Sequence, residues 1–314
     1  MLYLSEDQVR QLAPVDEVLR VIREAFARDF SSTLRMPPRS SLEMKGALLL
    51  LMPAFDSALN AAGVKMVSVS KTAGVQAFYE LLDPATGMPL ARMEANWLTD
   101  LRTAATSAVA TELLARPDAE TLGIFGSGRQ AISHIAAVSR VRKFQRYIVC
   151  GSGRTDLREF CAGIKQTLGI EVEPVNAETC AREADVICTC TNSRVPLFDG
   201  SWLRPGTHLN LIGAFQPDAR EVDDETIRRA RVVVETYEGV MSEAGDLLIP
   251  IRNGTITAAH VLADLHELAS GEKSIRTAPE QITLFKGVGC ALEDLVTAHM
   301  IYRRAKEQGQ KSKG

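Results

Sequence analysis

Apolar residues recur along this chain at two spacings, and the spacing changes at Thr121. From Val15 the set Val15, Val18, Leu19, Ile22 and Phe26 follows i, i+3, i+4, i+7, which predicts an amphipathic helix with Asp16 and Glu17 at its positive end. Ahead of it, Ser5 and Gln8 fit a capping box for a short helix that stops at Pro14. Pro37 and Pro38 interrupt the chain, and Leu48–Met52, Ala62–Ser70 and Ala77–Leu82 then read as strands. Asp83-Pro84-Ala85-Thr86-Gly87 is turn chemistry between extended segments. A second helix is expected from Thr99 to Leu114, ending before Pro117, so this first third reads as α+β.

From Thr121 strands alternate with helical segments. The expected strands are Thr121–Phe125, Tyr147–Cys150, Glu171–Val175, Val186–Thr189, Leu209–Ile212, Val232–Glu235 and Ile282–Phe285. Their continuous apolar character predicts a parallel sheet covered on both faces. A final helix over Gly289–Lys306, apolar at Leu292, Leu295, Val296 and Met300, is expected to pack back on the N-terminal domain. The predicted fold class is therefore α/β. A parallel-sheet domain at 118–287 is expected to be inserted into a discontinuous α+β domain made of 1–117 and 288–314.

Composition narrows the function classes. The chain has 314 residues, 46% apolar and 24% charged, with a net charge of −3. That charge and the lack of a basic stripe interleaved with aromatics speak against a nucleic-acid partner. No apolar run approaches the ~18 residues of a membrane span. The first residues, Met1-Leu2-Tyr3-Leu4-Ser5-Glu6-Asp7, carry no basic segment of a signal peptide. Cys150, Cys161, Cys180, Cys188, Cys190 and Cys290 lie mostly in apolar segments without framework spacing, which predicts reduced thiols in a cytoplasmic protein. Cys188 and Cys190 have no zinc-ligand spacing to a further Cys or His, so no metal is expected.

The strongest local motif is Gly126-Ser127-Gly128-Arg129-Gln130-Ala131, which follows the apolar strand ending at Phe125 and opens a helix through His134, Ile135 and Val138. In a dinucleotide fingerprint Gly126 permits the tight turn, Gly128 lets backbone approach the pyrophosphate, and Ala131 lets helix and strand pack closely. The helix N-terminus adds free N–H groups for the phosphates. After the second strand the chain reads Gly151-Ser152-Gly153-Arg154-Thr155, with no carboxylate before Asp156. Ser152, Arg154 and Thr155 suit a 2′-phosphate, so NADP(H) is favoured over NAD(H). Thr189 and Thr191 close a strand on the nucleotide side, where small hydroxyl residues suit cofactor contact. His134 reads as a packed helix residue.

Several segments together resemble the ornithine cyclodeaminase/mu-crystallin family. They are Arg35-Met36-Pro37-Pro38-Arg39, Gly63-Val64-Lys65, Leu101-Arg102-Thr103-Ala104-Ala105-Thr106-Ser107, the GSGRQA loop, Ala184–Thr191, Trp202–His208, and Phe285-Lys286-Gly287-Val288-Gly289 followed by Glu293-Asp294-Leu295. The resemblance implies a Rossmann domain inserted into a dimerisation domain, hence a homodimer. It also implies chemistry at the Cα–N bond of a small amino or imino acid. Arg39, Lys65 and Arg102 match the positions that hold the substrate carboxylate, a task suited to charge-assisted hydrogen bonds. Lys65, in an otherwise apolar stretch beside two arginines, is also expected to serve as a proton donor or acceptor. Cyclodeaminases of the family carry an Asp in the loop after Gly213; here that position reads Phe215, with Asp218 three residues on. A phenyl ring cannot pair with an ammonium, which disfavours ornithine. The expectation is NAD(P)H-dependent reduction of a cyclic ketimine such as Δ1-pyrroline-2-carboxylate. An alanine dehydrogenase or cyclodeaminase is the alternative, and a non-catalytic ligand-binding protein is the rival from another class.

Overall fold

The computed structural model describes residues 1–70, 72, 74–153 and 156–311. In chain order the elements are β1 (Leu2–Leu4), α1 (Glu6–Leu12), α2 (Val15–Ala27), β2 (Leu34–Arg35), β3 (Ser40–Met44), β4 (Ala47–Asp56), β5 (Ala61–Ser70), β6 (Gly74–Leu82), β7 (Pro89–Glu94) and α3 (Asn96–Leu114). There follow β8 (Thr121–Phe125), α4 (Arg129–Val138), β9 (Arg146–Cys150), α5 (Leu157–Leu168), β10 (Glu173–Pro174), α6 (Ala177–Glu183), β11 (Val186–Thr189), β12 (His208–Leu211), α7 (Asp224–Arg229) and β13 (Ala230–Val234). The last are α8 (Tyr237–Glu243), α9 (Gly245–Arg252), β14 (Val261–Asp264), α10 (Leu265–Ala269), β15 (Ile282–Lys286) and α11 (Ala291–Lys311). The chain forms two compact units, one from Met1–Thr106 with Cys290–Gly314, the other from Ser107–Gly289. No helix among the described residues is long and apolar enough to cross a membrane.

The first unit is a sheet in the order β1-β7-β6-β5-β4-β2, with β3 also on β4. All pairings are antiparallel except β1 with β7. Side chains alternate across it, so Met52, Ala54, Lys65, Val67, Tyr79 and Leu81 share the buried face. That face is covered by α11, which packs on β4, β5, β6 and α2 and buries Leu292, Leu295, Ala298 and Ile301. The expected capping box forms, with the Gln8 side chain accepting from the Ser5 N–H at 3.0 Å. On the opposite sheet face Leu42, Met44 and Phe55 remain 59%, 44% and 37% exposed.

The second unit is an eight-stranded, wholly parallel sheet in the order β10-β9-β8-β11-β12-β15-β13-β14. Its core is built from fully buried Ile187, Leu209, Leu211, Val232 and Leu284, as continuous apolar strands require when both faces are covered. The chain runs from β8 to β9 on one side and later returns to β11 on the other. The carboxyl ends of β8 and β11 therefore flank a topological switch point, where open α/β sheets bind ligands.

Three expectations shift in the structure. The strand expected over Glu171–Val175 shrinks to Glu173–Pro174, an edge strand in which proline gives up no ladder bond. Strand β14 is not anticipated by the sequence, because the four residues VLAD carry too little pattern. Helix α3 starts at Asn96 rather than Thr99, with the Asn96 side chain accepting from the Ala77 N–H at 3.0 Å.

Candidate functional site

The GSGRQA segment forms the turn from β8 into α4. Gly126 has φ +110°, and a Cβ there would lie 2.4 Å from the Cys190 carbonyl oxygen. Only glycine fits. Gly128 behaves differently. Its backbone is ordinary extended chain at φ −92°, yet a Cβ on it would meet nothing within 4 Å. Protein packing thus explains the first glycine, while the space above the second is open, as a cradle for a pyrophosphate demands. Gly128 is also the N-cap of α4 and supplies no side-chain cap, which leaves the first-turn N–H groups for a ligand. Ala131 is fully buried, and exposed Arg129 and half-buried Ser127 and Gln130 line the turn. His134 is buried, as expected of a packed residue. Its ring nitrogens lie 2.7 Å from the Gln130 carbonyl and 3.0 Å from the Ser107 hydroxyl, and burial lowers its pKa to about 4.

Thr189 and Thr191 stand at the carboxyl end of β11, but their hydroxyls are turned to the protein. Thr189 donates to Glu221 Oε2 at 2.6 Å and Thr191 to Glu221 Oε1 at 2.7 Å. The same carboxylate accepts the Thr191 N–H at 2.9 Å and the Gly213 N–H at 2.7 Å. Fully buried Glu221 thus ties the ends of β11 and β12 together beside Gly126. Burial and the neighbouring Asp246 raise its pKa, opposed by Lys286, whose ammonium lies 3.1 Å from Asp246. Past β9, Ser152 is exposed and Asp156 caps α5 by accepting from the Arg158 N–H. Arg154 and Thr155 lie outside the described residues.

In the first unit Lys65 occupies the buried face of β5, opposite Met52 and Tyr79. It is 1% exposed, and its ammonium lies 2.9 Å and 2.8 Å from the two carboxylate oxygens of Asp294. Arg102, 4% exposed, comes from α3 to the same carboxylate, with Nε 3.0 Å from Asp294 Oδ1, and pairs through Nη1 with Glu293. Glu293 and Asp294 sit in the first turn of α11, where the helix dipole favours carboxylates. Burial, reinforced by Arg102 and opposed by Asp294, lowers the Lys65 pKa to about 8. Tyr79 lies so close to Gly63 that a Cβ there would be 2.5 Å from the phenol oxygen. That hydroxyl is buried without a hydrogen-bond partner among the described residues, and burial and Asp294 push its pKa up.

Lys65 and Arg102 therefore meet, at Asp294. Arg39 is half-buried and immediately precedes β3, whose Ser40 stands opposite Leu51, the neighbour of Lys65's partner Met52. The register sets it near the level of Lys65, two strands away. Sequence reasoning passed over Glu221, Tyr79 and the roles of Glu293 and Asp294. The readable signal for the last pair is two adjacent acids at the head of a helix that is otherwise mostly apolar as far as Ile301. Phe215 is 40% exposed, and Asp218 is engaged by Arg194.

Comparison with known proteins places these features. The sequence profile of the ornithine cyclodeaminase/mu-crystallin family matches residues 1–309. A Δ1-pyrroline-2-carboxylate reductase of Bacillus cereus is 36% identical over 320 residues, covering 98% of each chain. Among solved structures, the Thermococcus litoralis Δ1-pyrroline-2-carboxylate reductase in complex with NADH and L-proline superposes with a TM-score of 0.95 at 37% identity, over 98% of each chain. An archaeal alanine dehydrogenase dimer with bound NAD has a TM-score of 0.92 at 31% identity, over 98% of this chain and 97% of that one. With its glycine turn after β8, its buried Lys65–Asp294–Arg102 cluster and a profile match over almost its whole length, the chain belongs to the ornithine cyclodeaminase/mu-crystallin family.

Proposed function

We propose that this protein reduces a small cyclic α-imino acid, of the type of Δ1-pyrroline-2-carboxylate, to the corresponding amino acid with a reduced nicotinamide dinucleotide. The observation that carries this reading is the likeness, across 98% of both chains, to the reductase solved with NADH and L-proline. The loop from Gly126 to Ala131 would hold the pyrophosphate, with Gly128 leaving it room. When bound, the dinucleotide supplies hydride chemistry, and the protein supplies orientation and charge. Arg39, Lys65 and Arg102 would take the substrate carboxylate by charge-assisted hydrogen bonds. Lys65 would give a proton to the imine nitrogen, a role suited to an ammonium whose pKa burial has brought to about 8.

We assign NADP(H) before NAD(H). Ser152, Arg154 and Thr155 follow β9, and the first carboxylate after it, Asp156, is occupied as a helix cap. Thr189 and Thr191 would meet the cofactor through backbone, since their hydroxyls donate their hydrogen bonds to Glu221. A homodimer is supported by the dimeric alanine dehydrogenase relative and by the apolar sheet face bearing Leu42, Met44 and Phe55. Six free cysteines suit a cytoplasmic setting. Cyclodeamination of ornithine is disfavoured because Phe215 supplies no carboxylate and Asp218 is held by Arg194.

The test is consumption of NADPH and NADH with Δ1-pyrroline-2-carboxylate, with pyruvate plus ammonia, and with ornithine. The reading expects turnover with the ketimine. Ammonia release from ornithine without net nicotinamide oxidation replaces it with a cyclodeaminase. Tight dinucleotide binding with no turnover leaves a binding protein.

A further inference from the structure

The carboxylate site contains its own counter-charges. Lys65, Arg102, Glu293 and Asp294 are 1%, 4%, 0% and 0% exposed, and their contacts link them into one cluster. With Lys65 protonated, two cations face two anions and the formal charges cancel; with Lys65 neutral, the four groups carry a net negative charge. Where Lys65 has lost its proton, a substrate carboxylate that approaches Lys65 and Arg102 therefore meets a buried cluster that is already net negative. Placing one more negative charge there is costly in a poorly polarisable interior unless a positive charge enters with it. A proton is the smallest such charge.

Lys65 is the group able to take it. The charged and titratable groups facing it are Arg102 from α3, Glu293 and Asp294 from α11, and the Tyr79 phenol from β6, while β4 offers only Met52. Burial and Arg102 disfavour its proton; Asp294 and Glu293 favour it, so near pH 8 the ammonium is only partly populated. Asp294 also fixes where Nζ lies, since both of its oxygens contact it at 2.8–2.9 Å.

We infer that Asp294 is a positioning residue that keeps the Lys65 ammonium charged and aimed, and that the substrate carboxylate and one proton enter this site together. The inference rests on the ketimine reading for its chemical step. There, hydride reaches the imine carbon, the C=N π pair moves onto nitrogen, and nitrogen takes the proton from Nζ. Lys65 is left neutral and regains a proton from solvent once product leaves. The carboxylate that orients the substrate thus also loads the acid that completes its reduction.

The experiment is calorimetric titration of the NADP⁺-saturated protein with pyrrole-2-carboxylate, a planar ring acid whose nitrogen does not titrate, in buffers of differing ionisation heat. At pH 8.5 the expected uptake is between about half and one proton per site, falling toward zero at pH 6.5. Lys65→Met abolishes it. Asp294→Asn moves the uptake, and the basic limb of the kcat/KM profile, down by about one pH unit or more; Asp294→Glu restores part of the shift. No proton uptake by the wild type at pH 8.5 overturns the inference without recourse to any variant, and so does a basic limb that Asp294→Asn leaves in place. The two readings fail separately: absence of ketimine turnover removes the proposed reaction, while uptake on binding the ring acid still reports on the cluster.

Discussion

Substituting alanine at Gly126 and at Gly128 separates packing from ligand binding within one turn. At Gly126 the backbone has φ +110°, and a methyl would sit 2.4 Å from the Cys190 carbonyl oxygen. A left-handed conformation costs a non-glycine residue about 1–2 kcal/mol, and relieving an overpacked contact adds about 1–3 kcal/mol. Gly126→Ala should therefore lose roughly 3 kcal/mol of stability. At Gly128 the backbone is extended, at φ −92° and ψ −172°, and no atom lies within 4 Å of the added carbon. The poorer helix cap costs about 0.5–1 kcal/mol, while the stiffer unfolded chain returns about 0.4–1 kcal/mol. The net change is within about 0.5 kcal/mol, a melting shift of roughly 2 °C or less. If the space over Gly128 belongs to the pyrophosphate, the methyl there should weaken NADPH binding at least tenfold, about 1.4 kcal/mol. Thermal unfolding without ligand, paired with fluorescence titration of NADPH, reads both quantities. A Gly128→Ala protein that binds NADPH like the wild type refutes the cradle; one that melts as early as Gly126→Ala refutes the packing argument.

Other consequences can be measured directly. Glu221→Ala leaves the Thr191 and Gly213 N–H groups and two threonine hydroxyls without their acceptor, so urea unfolding should show a loss of about 3–5 kcal/mol; a loss under 1 kcal/mol would mean water replaces the carboxylate with ease. His134 and His208 are held neutral by burial, with pKa values lowered to about 4 and about 3. The unfolded chain protonates both near pH 6.5 and the folded chain does not, so their contribution is present above pH 6.5 and disappears as pH falls toward 4 and then 3. The two shifts amount to roughly 3 and 5 kcal/mol, comparable to the stability of a whole domain. Stability measured by denaturant from pH 6.5 to 4 should fall steadily, and a flat profile contradicts the buried neutral state. Phe55→Glu, on the open apolar face, should halve the mass seen by light scattering if that face joins two copies; an unchanged mass moves the interface elsewhere.

What could be read from the chain beforehand follows from the range of the interactions involved. The parallel sheet was legible because strands buried on both faces are apolar throughout, and the turn from β8 into α4 because the GSGRQA string puts a glycine at the positive-φ position Gly126. Lys65 stood out because a cation in Ala61–Val67 has no apolar explanation. Its partner did not stand out, because Asp294 is 229 residues away in sequence and only the fold of α11 over β5 brings it to 2.9 Å. Glu221 was invisible for a similar reason: its loop is polar and irregular, and nothing local marks a carboxylate that will collect four donors from two other strands. Thr189 and Thr191 stand at the end of β11, yet a strand pattern says only which way a side chain faces, and a hydroxyl turned to Glu221 looks in sequence like one turned to a ligand.

This asymmetry bears on how basic clusters are read. Counting Arg39, Lys65 and Arg102 along the chain suggests a strongly positive pocket, because cations of one motif set are noticed together while their counter-ions lie on a distant helix. The folded cluster is different in kind. Arg102 and Lys65 are already paired with Glu293 and Asp294, and an isolated buried pair of cations would have destabilised the unit that holds them. A folded chain keeps such residues in its core by pairing them, and where Lys65 has lost its proton the cluster is net negative and takes an anion most readily together with a proton. If the cluster takes the substrate carboxylate, that coupling makes affinity depend on pH around the Lys65 titration, whereas a fixed cationic pocket would bind carboxylates with no such dependence until its arginines themselves lost charge.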